Sequence, residues 1–228
     1  MELLTQSSFY KENFNIDLIP YTGIDYSKVA CLFPGNGSLY PGIFKAELKR
    51  LPLCVKRLQE MDLFSEKNKV SKVSWYFYQP EKILETEMAA LRGMALITMS
   101  VGLFESYVDK HKAPHFLSGH SLGECSALVC AGVIDLESMI NINYHRELIG
   151  DANHVSGCML AVAIDANEFR QLDCPVPFHI ANENSPQQTV VSLKLEDLKA
   201  LTSFLKTKRV ASRELKGVVR PYHSPLMQ

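Results

Sequence analysis

The sequence predicts an α/β fold in two parts, and three stretches carry that expectation. Val29–Phe33 is a short continuous apolar run that breaks at Pro34, Gly35 and Gly37, the pattern of a strand buried on both faces that enters a backbone-rich loop. His115–Gly119 is a second short run, leading into Gly119-His120-Ser121-Leu122-Gly123 and then the helical stretch Ser126–Ile134. From Gly157 the pattern alternates as βαββαβ over roughly 60 residues, the ferredoxin-like arrangement.

The elements follow in chain order. Residues 1–27 show no sustained period and are expected to pack on the surface as an N-terminal extension. Between Phe44 and Val70, Leu48, Leu51, Val55, Leu58 and Met61 recur at three and four, which predicts amphipathic helices interrupted at Pro52. Glu85–Val108 is rich in Ala, Met and Leu with little charge in its middle, so this helix should lie against the core over most of its circumference. The helix after Ser121 should stop at Gly132, which accepts a left-handed backbone without steric cost, and Asp135 should cap a further helix to about Gly150 that carries Arg146. The later stretch divides into strands at Cys158–Ile164, Phe178–Asn182, Thr189–Leu193 and Arg209–Leu215, with helices at Asp165–Leu172 and Leu195–Lys208. The expected division is 1–27, a core over 28–154, a ferredoxin-like subdomain over 155–215, and a return segment over 216–228 that carries His223.

Composition excludes several classes of function. At 46% hydrophobic and 21% charged residues, the 228-residue chain is globular, and 24 basic against 25 acidic residues create no global field for nucleic acid or an anionic membrane. The longest apolar run, Cys158–Ile164, is too short to cross a bilayer, and the N-terminus lacks the basic and apolar regions of a signal peptide. A cytoplasmic protein is expected. The six cysteines form no CxxC pair and no zinc-ligand spacing, so neither a disulfide nor a metal site is expected.

A strand, then Gly-x-Ser-x-Gly, then a helix is a nucleophile elbow, in which a strained turn lifts the serine hydroxyl out of the sheet. Ser121 is therefore the candidate nucleophile, and the N–H of Leu122 would help to stabilise an oxyanion. A serine needs a base, and His223 in Pro221-Tyr222-His223-Ser224-Pro225 is the leading candidate among seven histidines.

Five ordered motifs together carry a resemblance: Phe33–Ser38 (FPGNGS), Gly119–Glu124 (GHSLGE), Arg146, Ile180–Ser192 and Pro221–Met227 (PYHSPLM). From about Lys28 onward the chain resembles the malonyl-CoA:acyl carrier protein transacylases and the acyltransferase domains of polyketide synthases. The resemblance implies an α/β-hydrolase-like core with a ferredoxin-like subdomain. It implies malonyl transfer from malonyl-CoA to the phosphopantetheine thiol of an acyl carrier protein, through an acyl intermediate on Ser121 with His223 as base, in the fatty-acid or polyketide setting. No permanently bound cofactor is implied; malonyl-CoA is a substrate. Arg146, 25 residues after Ser121, falls where the family pairs an arginine bidentately with the malonyl carboxylate. The second oxyanion N–H falls on Asn36, and Leu122 and Tyr222 resemble residues that select malonyl over methylmalonyl groups. His120 is expected either to pack beside the elbow or to stand just behind the reacting groups, and Glu124 to support the first turn of its helix. The basic residues Lys206, Lys208, Arg209, Arg213, Lys216 and Arg220 could steer a carrier protein or coenzyme A, or form a solvated face.

The chain departs from the family pattern at three places. Asn36 stands where glutamine is usual, and Gly93 falls near a second glutamine position, so both shorten side chains expected in the cleft. Only five residues follow His223, whereas the family continues with a part that orients the histidine through a backbone carbonyl. A missing segment or partner chain is one expectation, and His223 should be poorly fixed unless its segment is tied down. Two other activities fit the same residues: an acyl hydrolase that clears carrier-bound groups, and a non-catalytic docking module.

Overall fold

The structure, a computed structural model, describes residues 28–152, 156–215, 218 and 220–227. The expected N-terminal extension, Lys216 and Val219 lie outside the described residues, as do residues beside both expected inner boundaries.

Strand β1 (Ala30–Phe33) pairs in parallel with β2 (Phe116–Gly119), with Ala30 opposite Phe116 and Phe33 opposite Gly119. Helices α1 (Pro52–Asn68), α2 (Trp75–Tyr78), α3 (Met88–Val108), α4 (Gly123–Cys130) and α5 (Leu136–Ala152) complete the first layer. The helical stretch divides at Pro52 as expected: a 3-10 turn over Glu47–Arg50 ends before it, and Pro52 begins α1, where a missing N–H is harmless and a fixed φ is already helical. The apolar stripe read from the sequence is buried as expected, with Leu48, Leu58, Met61, Met94, Ile97 and Ile140 in one cluster. Helix α3 is its axis. The stretch Glu85–Val108 is long and apolar enough to cross a membrane by length and composition, and 72% of its apolar window is buried inside the protein.

The expectation that β1 is buried on both faces is corrected. Successive side chains of a strand point to opposite faces. Phe33 is buried and packs on Phe104 of α3 with ring centroids 6.0 Å apart, whereas Leu32 is 75% and its neighbour Phe116 60% exposed. No described element covers that face of the pair.

Helix α4 ends as the sequence predicts, with Gly132 at φ +73°. Asp135 caps α5: its carboxylate accepts from the N–H of Ser138 at 2.8 Å and the hydroxyl of Ser138 at 2.7 Å. These bonds hold the Asp135 carboxyl below its ordinary value.

The second layer runs β3 (Gly157–Val162), α6 (Ala166–Arg170), β4 (His179–Ser185), β5 (Gln188–Lys194), α7 (Leu198–Thr207) and β6 (Ser212–Glu214). Its antiparallel sheet has the order β4-β5-β3-β6. The period-two pattern explains both faces. Cys158, Leu160, Val162, Val191 and Leu193 pack under Phe169, Leu201 and Leu205 of the helices, while Met159 and Val190 face the other way with Val218 and Tyr222. That second face forms one wall of the functional cleft. All six cysteines are free thiols.

Candidate active site

Ser121 sits between β2 and α4 with φ +55°, a left-handed backbone that costs a non-glycine residue about 1–2 kcal/mol. The flanking glycines make the turn possible by close backbone approach. A Cβ on Gly119 would lie 2.1 Å from the carbonyl carbon of Gly123, and one on Gly123 would lie 2.2 Å from the carbonyl oxygen of Phe33. The N–H of His120 donates to the Phe33 carbonyl at 2.9 Å, so the parallel pairing continues to the residue before the serine.

The Ser121 hydroxyl lies 2.7 Å from His223 Nε2. His223 also has a left-handed backbone, φ +57°, and its segment is tied down at several points. Ser192 Oγ of β5 donates to the Tyr222 carbonyl at 2.5 Å, Ser224 Oγ donates to the Pro221 carbonyl at 2.5 Å, and the Met227 N–H donates to the Ser224 carbonyl at 3.1 Å. Pro221 covers Gly157, where a Cβ would lie 2.6 Å from Pro221 Cγ. The segment that carries His223 is thus tied to β3 and β5. Burial, followed by the neighbouring His120, holds the His223 imidazole below its ordinary value, and Arg146 acts in the same direction against Glu124. A lowered imidazole favours the neutral ring, the state that a general base requires.

Asn36 opens a short 3-10 turn, Asn36–Ser38, and Leu122 precedes α4 as its N-cap. Both N–H groups occupy helix starts, where no intrahelical acceptor exists, and both residues border the cleft beside Ser121. The Leu122 side chain is buried in the helical core. Asn36 Oδ1 is buried without a hydrogen-bond partner, so the shorter side chain remains at the cleft as an unsatisfied acceptor.

The cleft has a volume of about 1130 Å³ and brings together Asn36, Ser121, Leu122, Arg146, Tyr222 and His223, every residue singled out for the site from sequence. The side chain of Arg146 is 47% exposed. Its Nη2 donates to Asn143 Oδ1 at 2.9 Å and to Glu147 Oε1 at 2.8 Å. Both two-point forks of a guanidinium use Nη2, so in this arrangement Arg146 keeps Nη1 and Nε toward other partners and no complete two-point fork. Gly93 is buried in α3, and a Cβ there would lie 2.6 Å from Asn143 Nδ2. The place of the expected long side chain is thus taken from the opposite helix by Asn143, which in turn holds Arg146.

Of the two readings of His120, the structure favours the place behind the reacting groups: it is exposed at the cleft wall, with Nε2 3.0 Å from Asn184 Oδ1, while Asn184 Nδ2 donates to Gln188 Oε1 at 2.9 Å. The basic cluster is also divided. Arg220 is buried and its Nη1 donates to Glu147 Oε2 at 2.8 Å; Arg213 borders the cleft; Lys208 lies over the Phe204 ring. Sequence reasoning missed Glu147, Asn143 and Asn184. An acid beside an arginine on a helix reads as a surface pair, and only the approach of Arg220, 73 positions away, reveals a buried one. Among the described residues no group of three or more His, Cys, Asp or Glu could hold a metal ion.

The family described as acyl transferase domain matches residues 58–228. A malonyl CoA-acyl carrier protein transacylase of Bacillus subtilis is 30% identical over 213 residues, covering 89% of this chain and 65% of that protein. A probable polyketide synthase of Dictyostelium discoideum is 35% identical over 136 residues, covering 59% of this chain and 5% of the synthase. Among solved structures, a malonyl-transacylase in complex with its type II polyketide-synthase acyl-carrier protein superposes with a TM-score of 0.73 at 27% identity, over 88% of this chain and 66% of that one. The transacylase of Coxiella burnetii gives a TM-score of 0.73 at 26% identity, over 88% and 64%. The chain spans about two thirds of the single-domain relatives it matches. With an elbow serine, a facing histidine and this match over most of its length, the chain belongs to the acyl transferase domain family, which includes malonyl-CoA:acyl carrier protein transacylases and polyketide-synthase acyltransferase domains.

Proposed function

We propose that this protein transfers a malonyl group from malonyl-CoA to the phosphopantetheine thiol of an acyl carrier protein through an acyl-Ser121 intermediate. The observation that carries the reading is the 2.7 Å contact between Ser121 Oγ and His223 Nε2 in a cleft whose wall presents Arg146. His223 Nε2 takes the hydroxyl proton as Ser121 Oγ attacks the thioester carbonyl carbon. The oxyanion that forms is met by the N–H groups of Leu122 and Asn36. Collapse breaks the C–S bond, the proton passes from His223 to the departing coenzyme A sulfur, and malonyl-Ser121 remains. The carrier thiol then gives its proton to His223, attacks the ester carbonyl and leaves as the malonyl thioester while Ser121 recovers its hydrogen.

Arg146 supports a dicarboxylic acyl group, because a guanidinium at the acyl end of the cleft stabilises a free carboxylate and offers nothing to an acetyl methyl. Tyr222 narrows the space beside the base, which favours an unbranched malonyl group. The relative solved with its carrier protein supports the same class of acceptor.

Intact-protein mass spectrometry tests the reading. Brief incubation with malonyl-CoA should add one malonyl mass on Ser121, and the adduct should pass to a phosphopantetheinylated carrier protein. An adduct lost to water at the same rate with and without the carrier would make the protein a hydrolase, and absence of an adduct would overturn the chemistry.

A further inference from the structure

Glu147 is 2% exposed, and its carboxylate accepts hydrogen bonds from three residues. Oε1 accepts from Arg146 Nη2 at 2.8 Å, and Oε2 accepts from Arg220 Nη1 at 2.8 Å and the Tyr222 hydroxyl at 2.9 Å. A carboxylate placed this deep is unfavourable unless it is paired and hydrogen-bonded. The helix is shaped to admit it: Gly150, one turn further along α5, leaves room for Arg220, and a Cβ there would lie 2.2 Å from Arg220 Nη1. One side of the network is the arginine on the cleft wall; the other is the residue next to the candidate base.

We propose that Glu147 is a positioning residue that couples the two halves of the active site, orienting Arg146 on α5 and, through Tyr222 and Arg220, placing His223 against Ser121. The inference rests on the acyl-transfer reading for the meaning of Arg146, and on geometry alone for the His223 arm. On the first arm, Glu147 and Asn143 occupy Nη2 of Arg146, which turns the remaining donors, Nη1 and Nε, into the contact for an acyl carboxylate. Along the second arm, Tyr222 is held at both ends, by Glu147 at its hydroxyl and by Ser192 at its carbonyl, and His223 follows directly.

The two arms separate experimentally. Ser121 reactivity is read with a fluorophosphonate, which needs the serine and its base but no malonyl group, and acyl selectivity is read as the ratio of malonyl to acetyl loading from the two coenzyme A esters. Tyr222→Phe deletes one hydroxyl and should slow fluorophosphonate labelling several-fold, with a smaller change in the loading ratio than Glu147→Gln produces. Glu147→Gln should slow labelling by about 10-fold or more and also lower the malonyl to acetyl ratio by a similar factor. Where Glu147→Gln fails to fold, the double variant Glu147→Leu, Arg220→Met removes the buried pair together, an exchange that folds tolerate; it should melt near wild type and show both defects. A folded Glu147 variant with wild-type labelling and ratio overturns the proposal. If neither coenzyme A ester loads the wild-type enzyme, the malonyl reading fails while the labelling rates still decide the His223 arm.

Discussion

Ser121 and His223 face each other at 2.7 Å, and both hold a left-handed backbone at a residue that is not glycine. Such conformations persist only where the surroundings over-determine them. At Ser121 the surroundings are the two crowded glycines; at His223 they are the bonds of Tyr222 and Ser224 to either side.

Ser121→Ala should abolish covalent loading from malonyl-CoA with little change in melting temperature. Mass spectrometry of the intact protein checks it, and loading that persists would move the nucleophile elsewhere. His223→Gln should slow loading by about 10²-fold or more, because the proton then has no base to receive it.

The pH dependence follows from the depressed imidazole. A base held below its ordinary value stays neutral further into acid, so Ser121 labelling should rise with pH and reach its plateau below the range of a free histidine. Glu124 raises the His223 value, so Glu124→Gln should move the acidic limb to lower pH; His120 lowers it, so His120→Ala should move the limb to higher pH. The same sign applies to stability. The unfolded chain binds this proton more tightly, so the His223 contribution is complete above the unfolded value and is lost as pH falls through the folded one. Labelling rates between pH 5 and 8 on the three proteins settle the directions.

Arg146→Ala should weaken malonyl loading by 10-fold or more while sparing or raising acetyl loading. An unchanged ratio would remove Arg146 from the carboxylate role. Because Asn143 also holds Arg146 Nη2, Asn143→Ala should lower the ratio in the same direction and by less.

Gly150→Ala forces a Cβ against the Arg220 guanidinium at 2.2 Å, and the pair with Glu147 leaves that group little freedom to move. The expected cost is about 1–3 kcal/mol, the range for overpacking a filled interior. Thermal melting measures it, and a variant that melts with wild type would show that the pair yields easily.

Much of the site was legible because its residues are local in sequence. Gly119, Ser121 and Gly123 declare a turn by their spacing, Gly132 and Asp135 declare where helices stop and start, and each is found there. Readings that depended on distant partners failed. Arg220 looked like one more exposed cation because nothing near it reports Glu147, and His120 stayed open between two readings because Asn184 stands on a different layer. Likewise, a run of apolar residues in β1 cannot say which of its faces is covered, and the face bearing Leu32 is open.

Ser121 is followed directly by Leu122 of the helical cluster, whereas His223 is fastened to the antiparallel sheet through Tyr222 and Ser192. The rate of the proposed reaction should therefore serve as an alignment gauge. A relative displacement of about 1 Å between the layers would leave each core intact and cost on the order of 10²-fold in rate. Mild urea or modest heating should consequently silence the enzyme before its circular dichroism changes, and the lost rate should return as soon as the layers reseat.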